Sequence, residues 1–181
     1  IHTAHGFAIH EGSSSISVRA YVAAERFAAR RCELVVTVSR HHCQWARELG
    51  MVDEGHTRLT AIPNGIEEPG TTRGVDREDM RRSLGLPEGA ILVLSHGRLA
   101  PGKGVESLIG ALPLIKRELD RPVRLALVGE GPARRKYEEL ARQMRVHEVV
   151  IFTGFRRDVG DLLMASDVVV LPSFREGLSI A

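Results

Sequence analysis

The sequence predicts an α/β protein built on parallel sheets. Two observations lead to this prediction: short runs of apolar, often β-branched residues recur along the chain, and helical patterns stand between them. In the second half, four such runs are bounded by Gly, Pro or Asp, which is typical of buried strands. They comprise residues 91–95, 123–128, 149–153 and 167–171. Alternation of this kind predicts parallel strands joined by right-handed crossovers.

The helices between these strands are indicated by apolar residues spaced three and four apart. The first helix carries Val105, Leu108, Ile109, Leu112 and Ile115, and the second carries Tyr137, Leu140, Ala141 and Met144. A shorter pattern follows Asp158, for which we predict an N-cap role. Each of the first three strands is therefore followed by a helix.

The first half follows the same alternation. Strands are predicted at 1–4, 34–38 and 59–62, with helices at 17–31 and from a Ser39 cap to Leu49. Residues 63–74 are rich in turn formers and have no periodicity, which is typical of a linker. We therefore expect residues 1–68 to be the C-terminal part of one domain, 69–89 a linker and lead-in, and 90–181 a second domain.

Composition limits the classes of function. The 25 Lys and Arg nearly balance 23 Asp and Glu, so no basic surface indicates a nucleic-acid partner. Basic clusters such as Arg81-Arg82 and Arg156-Arg157 are interpreted mostly as solvated faces. The apolar runs span only four or five residues, too few to cross a bilayer. Two cysteines suit a reducing, cytoplasmic compartment. Because the chain starts at Ile1 without Met and stops at Ala181, we expect a truncated piece.

Glycine-containing loops follow all four strands of the second half, at the edge where ligands bind in parallel sheets. The first of these loops holds Arg98 and Lys103, and two cations on one loop favour a phosphorylated ligand. A P-loop is excluded, because Gly104 follows the lysine where Ser or Thr is needed. Residues 129–132 lack the third glycine of a dinucleotide motif, which leaves a tight turn and a ligand contact as equal alternatives.

Histidine is frequent enough for a metal site to be considered. His2, His5 and His10 lie near Ile1, but their spacing lacks the second ligand cluster that a tetrahedral site needs. His41 and His42 are interpreted as surface residues of a helix, so we expect no metal.

Several motifs, in a consistent order, carry a family resemblance. Those of the second half are Gly97-Arg98-Leu99 with Lys103-Gly104, Val128-Gly129-Glu130-Gly131-Pro132, Phe152-Thr153-Gly154-Phe155, Ala165-Ser166-Asp167 with Leu171-Pro172-Ser173, and Glu176-Gly177-Leu178-Ser179. Those of the first half are Thr3-Ala4-His5-Gly6-Phe7, Val36-Thr37-Val38-Ser39 and Ile62-Pro63-Asn64-Gly65-Ile66. Together they resemble the retaining glycosyltransferases of family GT4. The resemblance implies a GT-B fold of two Rossmann-like domains, both truncated here: an acceptor domain first and a nucleotide-sugar donor domain second.

The resemblance also implies roles for individual residues. Arg98 and Lys103 match the cations that hold the donor diphosphate without a metal cofactor. Glu176 matches the first acid of an E-x7-E motif that binds the donor sugar, and the second acid would lie beyond Ala181. Gly177, Leu178 and Ser179 would offer backbone amides to the sugar or phosphate. Arg156 would lie near the nucleobase, and His5 would reach the transferred sugar.

The implied function is transfer of a sugar from a UDP- or GDP-sugar to a glycan or lipid-linked hydroxyl acceptor, in bacterial polysaccharide or glycoconjugate synthesis. A cytoplasmic enzyme with peripheral contact at the inner face of the plasma membrane would fit, and the arginines of helix 17–31 could provide that contact. Two alternatives stay open, a GT-B sugar-nucleotide epimerase and a non-catalytic nucleotide-sugar-binding module. The piece itself is expected to be inactive.

Overall fold

The structure is a computed structural model that describes residues 1–7, 9, 14–53, 55–65 and 75–174. The described chain divides into two compact units, one within residues 1–65 and the other within 75–174. Both are α/β units with parallel sheets, which confirms the predicted fold class.

The first unit is a three-stranded parallel sheet in the order β1-β2-β3, with two helices. Serine caps begin both helices: Ser14 Oγ accepts the N–H of Ser17, and Ser39 Oγ accepts the N–H of His42. Because Ser14 is the cap, the first helix begins two residues before its predicted start. The elements are β1 (His2–Ala4), α1 (Ser15–Ala29), β2 (Leu34–Thr37), α2 (Arg40–Glu48) and β3 (Arg58–Ala61).

The second unit is a four-stranded parallel sheet in the order β6-β5-β4-β7. Its central strand β5 is almost entirely buried, as expected for a parallel strand covered on both faces. The elements are α3 (Arg77–Ser83), β4 (Ile91–His96), α4 (Val105–Glu118), β5 (Val123–Val128), α5 (Arg134–Gln143), β6 (Val150–Gly154), α6 (Val159–Ala165) and β7 (Val168–Val169). Within the described ranges, every helix falls short of the length or the apolar character that a bilayer crossing needs.

Strand β7 is shorter than the predicted 167–171. It lies at the edge of the described sheet and pairs only through Val168 with Val93 and Val169 with Leu94. Backbone hydrogen bonds from the N–H groups of Asp167 and Val170 to β4 extend the contact by one residue at each end.

Helix α3 was not predicted and lies inside the range expected to be linker and lead-in. Arg81 on this helix is buried, which corrects the interpretation of its cluster as a solvated face. Its guanidinium donates to the carbonyl oxygens of Ala165 and Ala90 and to the carboxylate of Asp167. Arg77 binds the other Asp167 oxygen at 2.5 Å. The helix is therefore fastened by two arginines to the start of β7.

The carboxylate of Asp167 also joins β7 to the centre of the sheet. It accepts the backbone N–H of Leu92, on β4, at 2.7 Å. Burial by itself would raise the pKa of this carboxyl, but the Leu92 hydrogen bond and the charges of Arg81 and Arg77 outweigh burial and lower the pKa. Asp167 is thus held in its charged form.

Candidate functional site

The second sheet has a topological switch point beside β4. The chain adds β5 and then β6 on one side of β4, and then places β7 on the other side. Connections that leave in opposite directions open a crevice at the carboxyl ends of the two strands, where ligands bind in this architecture. The loops that follow β4 and β7 border this crevice. The parallel pairing also places the glycine-containing loops after β4, β5 and β6, and the described start of the segment after β7, at one edge of the sheet.

The loop between β4 and α4 carries both candidate diphosphate ligands. Arg98 is exposed and Lys103 is half-buried. Gly104 ends the loop with a φ of +70° and packs so closely on the carbonyl of Pro172 that a Cβ atom would overlap its oxygen. The N–H of Phe174 donates to the carbonyl of Gly102 at 3.1 Å. The segment after β7 therefore lies directly on the Lys103 loop.

The loop between β5 and α5 supports the same loop from the other side. A Cβ on Gly129 would overlap the carbonyl oxygen of Gly97, and one on Gly131 would overlap that of Leu99. These two glycines therefore allow the two loops to pack closely. This role is different from both the tight turn and the ligand contact that the sequence suggested. A ligand contact at this loop stays a prediction.

The loop after β6 holds Arg156, which we predicted to lie near the nucleobase. Its guanidinium makes two hydrogen bonds to the carboxylate of Asp158, at 2.8 and 2.6 Å. This pairing raises the pKa of the guanidinium. Asp158 does occupy the N-cap position of α6, but its side chain makes no capping bond. The predicted capping role is therefore wrong, because the carboxylate binds Arg156. The neighbouring Phe155 is exposed.

Three predicted site residues lie at the carboxyl edge of the second sheet: Arg98, Lys103 and Arg156. His5 is exposed and directly follows β1, at the corresponding edge of the first sheet. The predicted sugar and phosphate ligands Glu176, Gly177, Leu178 and Ser179 lie outside the described residues.

Sequence reasoning missed a cluster of rings at the carboxyl edge of the first sheet. His42 is buried, so its interpretation as a surface residue is wrong, whereas His41 is exposed as predicted. The ring centroid of His42 lies 5.1 Å from that of Phe7 and 6.0 Å from that of Trp45. Its Nδ1 has no hydrogen-bond partner within the described part of the chain. Burial, with a smaller contribution from His41, lowers the pKa of His42.

Because the pKa of His42 is lowered on folding, we expect acid to destabilise the first unit. The unfolded chain takes up a proton as the pH falls through 6.5, while the folded chain resists it until its lower pKa is reached. The free energy of unfolding should therefore be level above this pH and then fall by up to about 1.4 kcal/mol per pH unit. Urea denaturation between pH 5 and 8 measures this, with the fluorescence of Trp45, the single tryptophan, as the probe.

The matched variants are His42→Phe and His56→Gln. Phenylalanine fits an aromatic cluster and removes the titrating group, so the acid slope should decrease. His56 is exposed and pairs with Asp53 at 3.2 Å. Its replacement should therefore leave the fall in the free energy of unfolding at acid pH unchanged. An unchanged slope in His42→Phe would assign the acid sensitivity to other groups.

The described residues were also compared with the ligand sets that metal ions need. Among the described residues, no three His, Cys, Asp or Glu side chains come close enough to hold an ion. Metal independence itself stays a prediction.

Comparison with known proteins identifies the family. The model of the family described as glycosyl transferases group 1 matches residues 76–181, more than half of the chain. The chain belongs to this family. The matched range includes α3 and the loops that follow β4, β5 and β6.

Relatives and solved structures support the assignment. The chain is 27% identical over 185 residues to the Escherichia coli UDP-Gal:alpha-D-GlcNAc-diphosphoundecaprenol alpha-1,3-galactosyltransferase, covering all of the chain and 47% of that protein. It is 29% identical over 163 residues to the Streptomyces fradiae 2-deoxystreptamine N-acetyl-D-glucosaminyltransferase, covering 88% and 38%. Anabaena HepE, solved with UDP and glucose, superposes with a TM-score of 0.72 at 25% identity, covering 94% of this chain and 45% of that one.

These comparisons confirm the predicted family and the GT-B class of fold. The chain spans about half the length of the relatives it matches.

Proposed function

We propose that the whole protein is a retaining glycosyltransferase that moves a sugar from a nucleoside-diphosphate sugar to a hydroxyl acceptor in bacterial polysaccharide or glycoconjugate synthesis. The observation that carries this proposal is the position of the Arg98 and Lys103 loop at the switch point of the matched domain. UDP in HepE, and the UDP-sugar in the name of the Escherichia coli relative, support a nucleotide-sugar donor, which we take to be a UDP- or GDP-sugar.

In this proposal, Arg98 and Lys103 bind the donor diphosphate. Negative charge grows on the leaving nucleotide as the glycosidic bond breaks, and fixed cations at that point lower the barrier. Two side-chain cations can supply the charge that a metal ion would otherwise provide, so we propose a metal-independent reaction. The β4–α4 loop, which carries both cations, is packed between the loop after β5 and the segment after β7. This packing holds the two cations in position before the donor binds.

The remaining ligands would surround the donor sugar and base. We assign Glu176 to the hydroxyls of the sugar, and the backbone amides of residues 177–179 to sugar or phosphate. Arg156, oriented by Asp158, would flank the nucleobase. His5 would donate a hydrogen bond that steadies the oxocarbenium-like transition state. Attack of the acceptor on the face that the nucleotide leaves would retain the configuration, with the donor phosphate accepting the proton of the acceptor hydroxyl.

We propose a cytoplasmic location for the protein. A lipid-linked acceptor would bring it into peripheral contact with the inner face of the plasma membrane. Helix α1 offers a surface for such contact, since Ile16 and Phe27 are exposed. The exposed Arg19, Arg30 and Arg31 would face anionic headgroups. Cosedimentation with phosphatidylglycerol vesicles tests this contact, and equal binding to neutral phosphatidylcholine vesicles would contradict it.

The donor assignment is tested with thermal shifts of the whole protein in UDP, GDP, ADP and their sugars, and in uridine as a control. The diphosphate should raise the melting temperature far more than the nucleoside, because the two cations bind phosphate. Product analysis by NMR, with a hydroxyl acceptor present, then decides the reaction. A new glycosidic bond of retained configuration supports transfer, free epimerised nucleotide sugar identifies an epimerase, and binding without turnover identifies a non-catalytic module.

A further inference from the structure

A tyrosine in the core reaches the middle of the β4–α4 loop. The side chain of Tyr137, on α5, is completely buried among the apolar residues of the second unit. Its hydroxyl donates a hydrogen bond to the carbonyl oxygen of Ala100 at 2.9 Å. Ala100 lies between Arg98 and Lys103, the two cations of the loop.

The same carbonyl oxygen closes the turn that carries Lys103. The backbone N–H of Lys103 donates to it at 3.3 Å. A carbonyl oxygen has two lone pairs, so it accepts from both donors at once. One atom thus connects the hydroxyl of Tyr137 to the backbone of Lys103.

The residue before Ala100 is already fixed by backbone contacts. The N–H of Leu99 donates to the carbonyl of Glu130, and its own carbonyl accepts the N–H of Ala133, both at 3.0 Å. The hydrogen bond from Tyr137 to Ala100 adds a further contact, which fixes the turn that carries Lys103.

The hydroxyl keeps its proton across the physiological range. Burial, with a smaller contribution from Glu106, raises the pKa of Tyr137 to about 12. It is therefore always available as a donor. A phenylalanine would fill nearly the same volume in the core but could not make this bond.

We propose that Tyr137 is a positioning residue, whose hydroxyl fixes the turn that presents Lys103 to the donor diphosphate. This inference rests on the proposed function. Because the Tyr137 side chain is completely buried, it would act through the turn and not by contact with the donor. The hydroxyl should matter most in the transition state. A displaced ammonium group interacts less strongly with the diphosphate, and this loss is greatest when the negative charge on the leaving group is greatest.

The test is the Tyr137→Phe variant of the whole protein, assayed for sugar transfer. We expect kcat to fall by about tenfold, with the KM for the donor changed by less than about twofold. Ser166→Ala is the matched control, because it also removes a hydroxyl bonded to a backbone carbonyl in the same unit, that of Leu163 at 2.7 Å. The control should keep the parent kcat. If Tyr137→Phe also keeps it, or changes only KM, the inference is overturned.

A double-mutant cycle separates positioning from a general structural effect. In the background of Lys103→Ala, the further change Tyr137→Phe should cost little, because the cation that it positions is gone. A full tenfold loss in that background overturns the inference. If Lys103→Ala alone has no effect, the proposed function fails. If Lys103→Ala abolishes turnover and Tyr137→Phe is neutral, only the present inference fails. If Tyr137→Phe does not fold at the assay temperature, its turnover and that of the parent are compared at a lower temperature at which circular dichroism shows that both are folded.

Discussion

Replacing Lys103 with Ala in the whole protein should lower kcat by about 10²–10³, equivalent to about 3–4 kcal/mol of transition-state stabilisation. The ammonium lies in a loop that is packed on the carbonyl of Pro172 through Gly104 and tied to Tyr137 through Ala100. A cation held in this way needs no rearrangement when the leaving group becomes charged. Removing it should therefore raise the energy of the transition state more than that of the bound substrate. The measurement is steady-state transfer from the preferred donor, with kcat and KM determined separately.

Lys116→Ala is the matched control. This lysine lies in the last turn of α4, the helix that Lys103 precedes, and pairs with Glu148 at 3.1 Å on the surface. Such pairs contribute little to stability, so turnover should stay within about twofold of the parent. Equal kcat values for Lys103→Ala and Lys116→Ala would contradict the assignment of Lys103 to the diphosphate.

Replacing Arg81 with Ala should lower the free energy of unfolding by about 3 kcal/mol. The change removes a buried guanidinium and leaves the carbonyls of Ala90 and Ala165 and the carboxylate of Asp167 without that donor. Asp167 is exposed and keeps its bond to Arg77, so most of the cost comes from the two buried carbonyl oxygens that lose their donor. Urea denaturation followed by circular dichroism measures the loss.

The pH dependence provides a second observation on the same variant. In the parent, the pKa of Asp167 is lowered on folding, so its stabilising effect is present at neutral pH and is lost as the pH falls through the acidic range. Without Arg81 this pKa should move towards its ordinary value, and the acid limb of the stability curve should become flatter.

Arg82→Ala is the control for this effect. Arg82 follows Arg81 on α3 but is exposed and pairs with Asp79 on the surface. Its loss should cost less than about 0.5 kcal/mol. Comparable losses in the two variants would mean that the Arg81 contacts contribute no more than a surface pair.

Most of the fold follows from the sequence because buried parallel strands leave a strong pattern. Strand β4 begins with four apolar residues, β5 is apolar except at Arg124, and Ser39 marks the start of α2 by its capping chemistry. Helix α3 was missed because only Met80 and Leu84 provide an apolar face, with the remaining contacts made by arginine side chains. Its caps were nevertheless readable, since Asp76 precedes two acidic residues in the first turn and arginines in the last.

The site was predictable to the level of its loops and no further. Glycines after each strand, together with Arg98 and Lys103, identify the edge of the sheet, but the contact between Tyr137 and Ala100 joins residues 37 apart in sequence and leaves no local pattern. His42 was a different kind of error. With Ser39 as the cap, His42 shares a helical face with Cys43 and Ala46, and that spacing alone places its ring on the buried side.

The attachment of α3 to Asp167 has a consequence for dissecting the protein. The boundary expected from the sequence, at residue 90, would separate the second sheet from both Arg77 and Arg81. An excised second unit that begins there would keep every described strand of its sheet as well as Arg98 and Lys103, yet lack the two guanidinium groups that bind the start of β7. A piece that keeps both arginines and the cap of their helix therefore begins at or before Asp76, whose carboxylate caps α3.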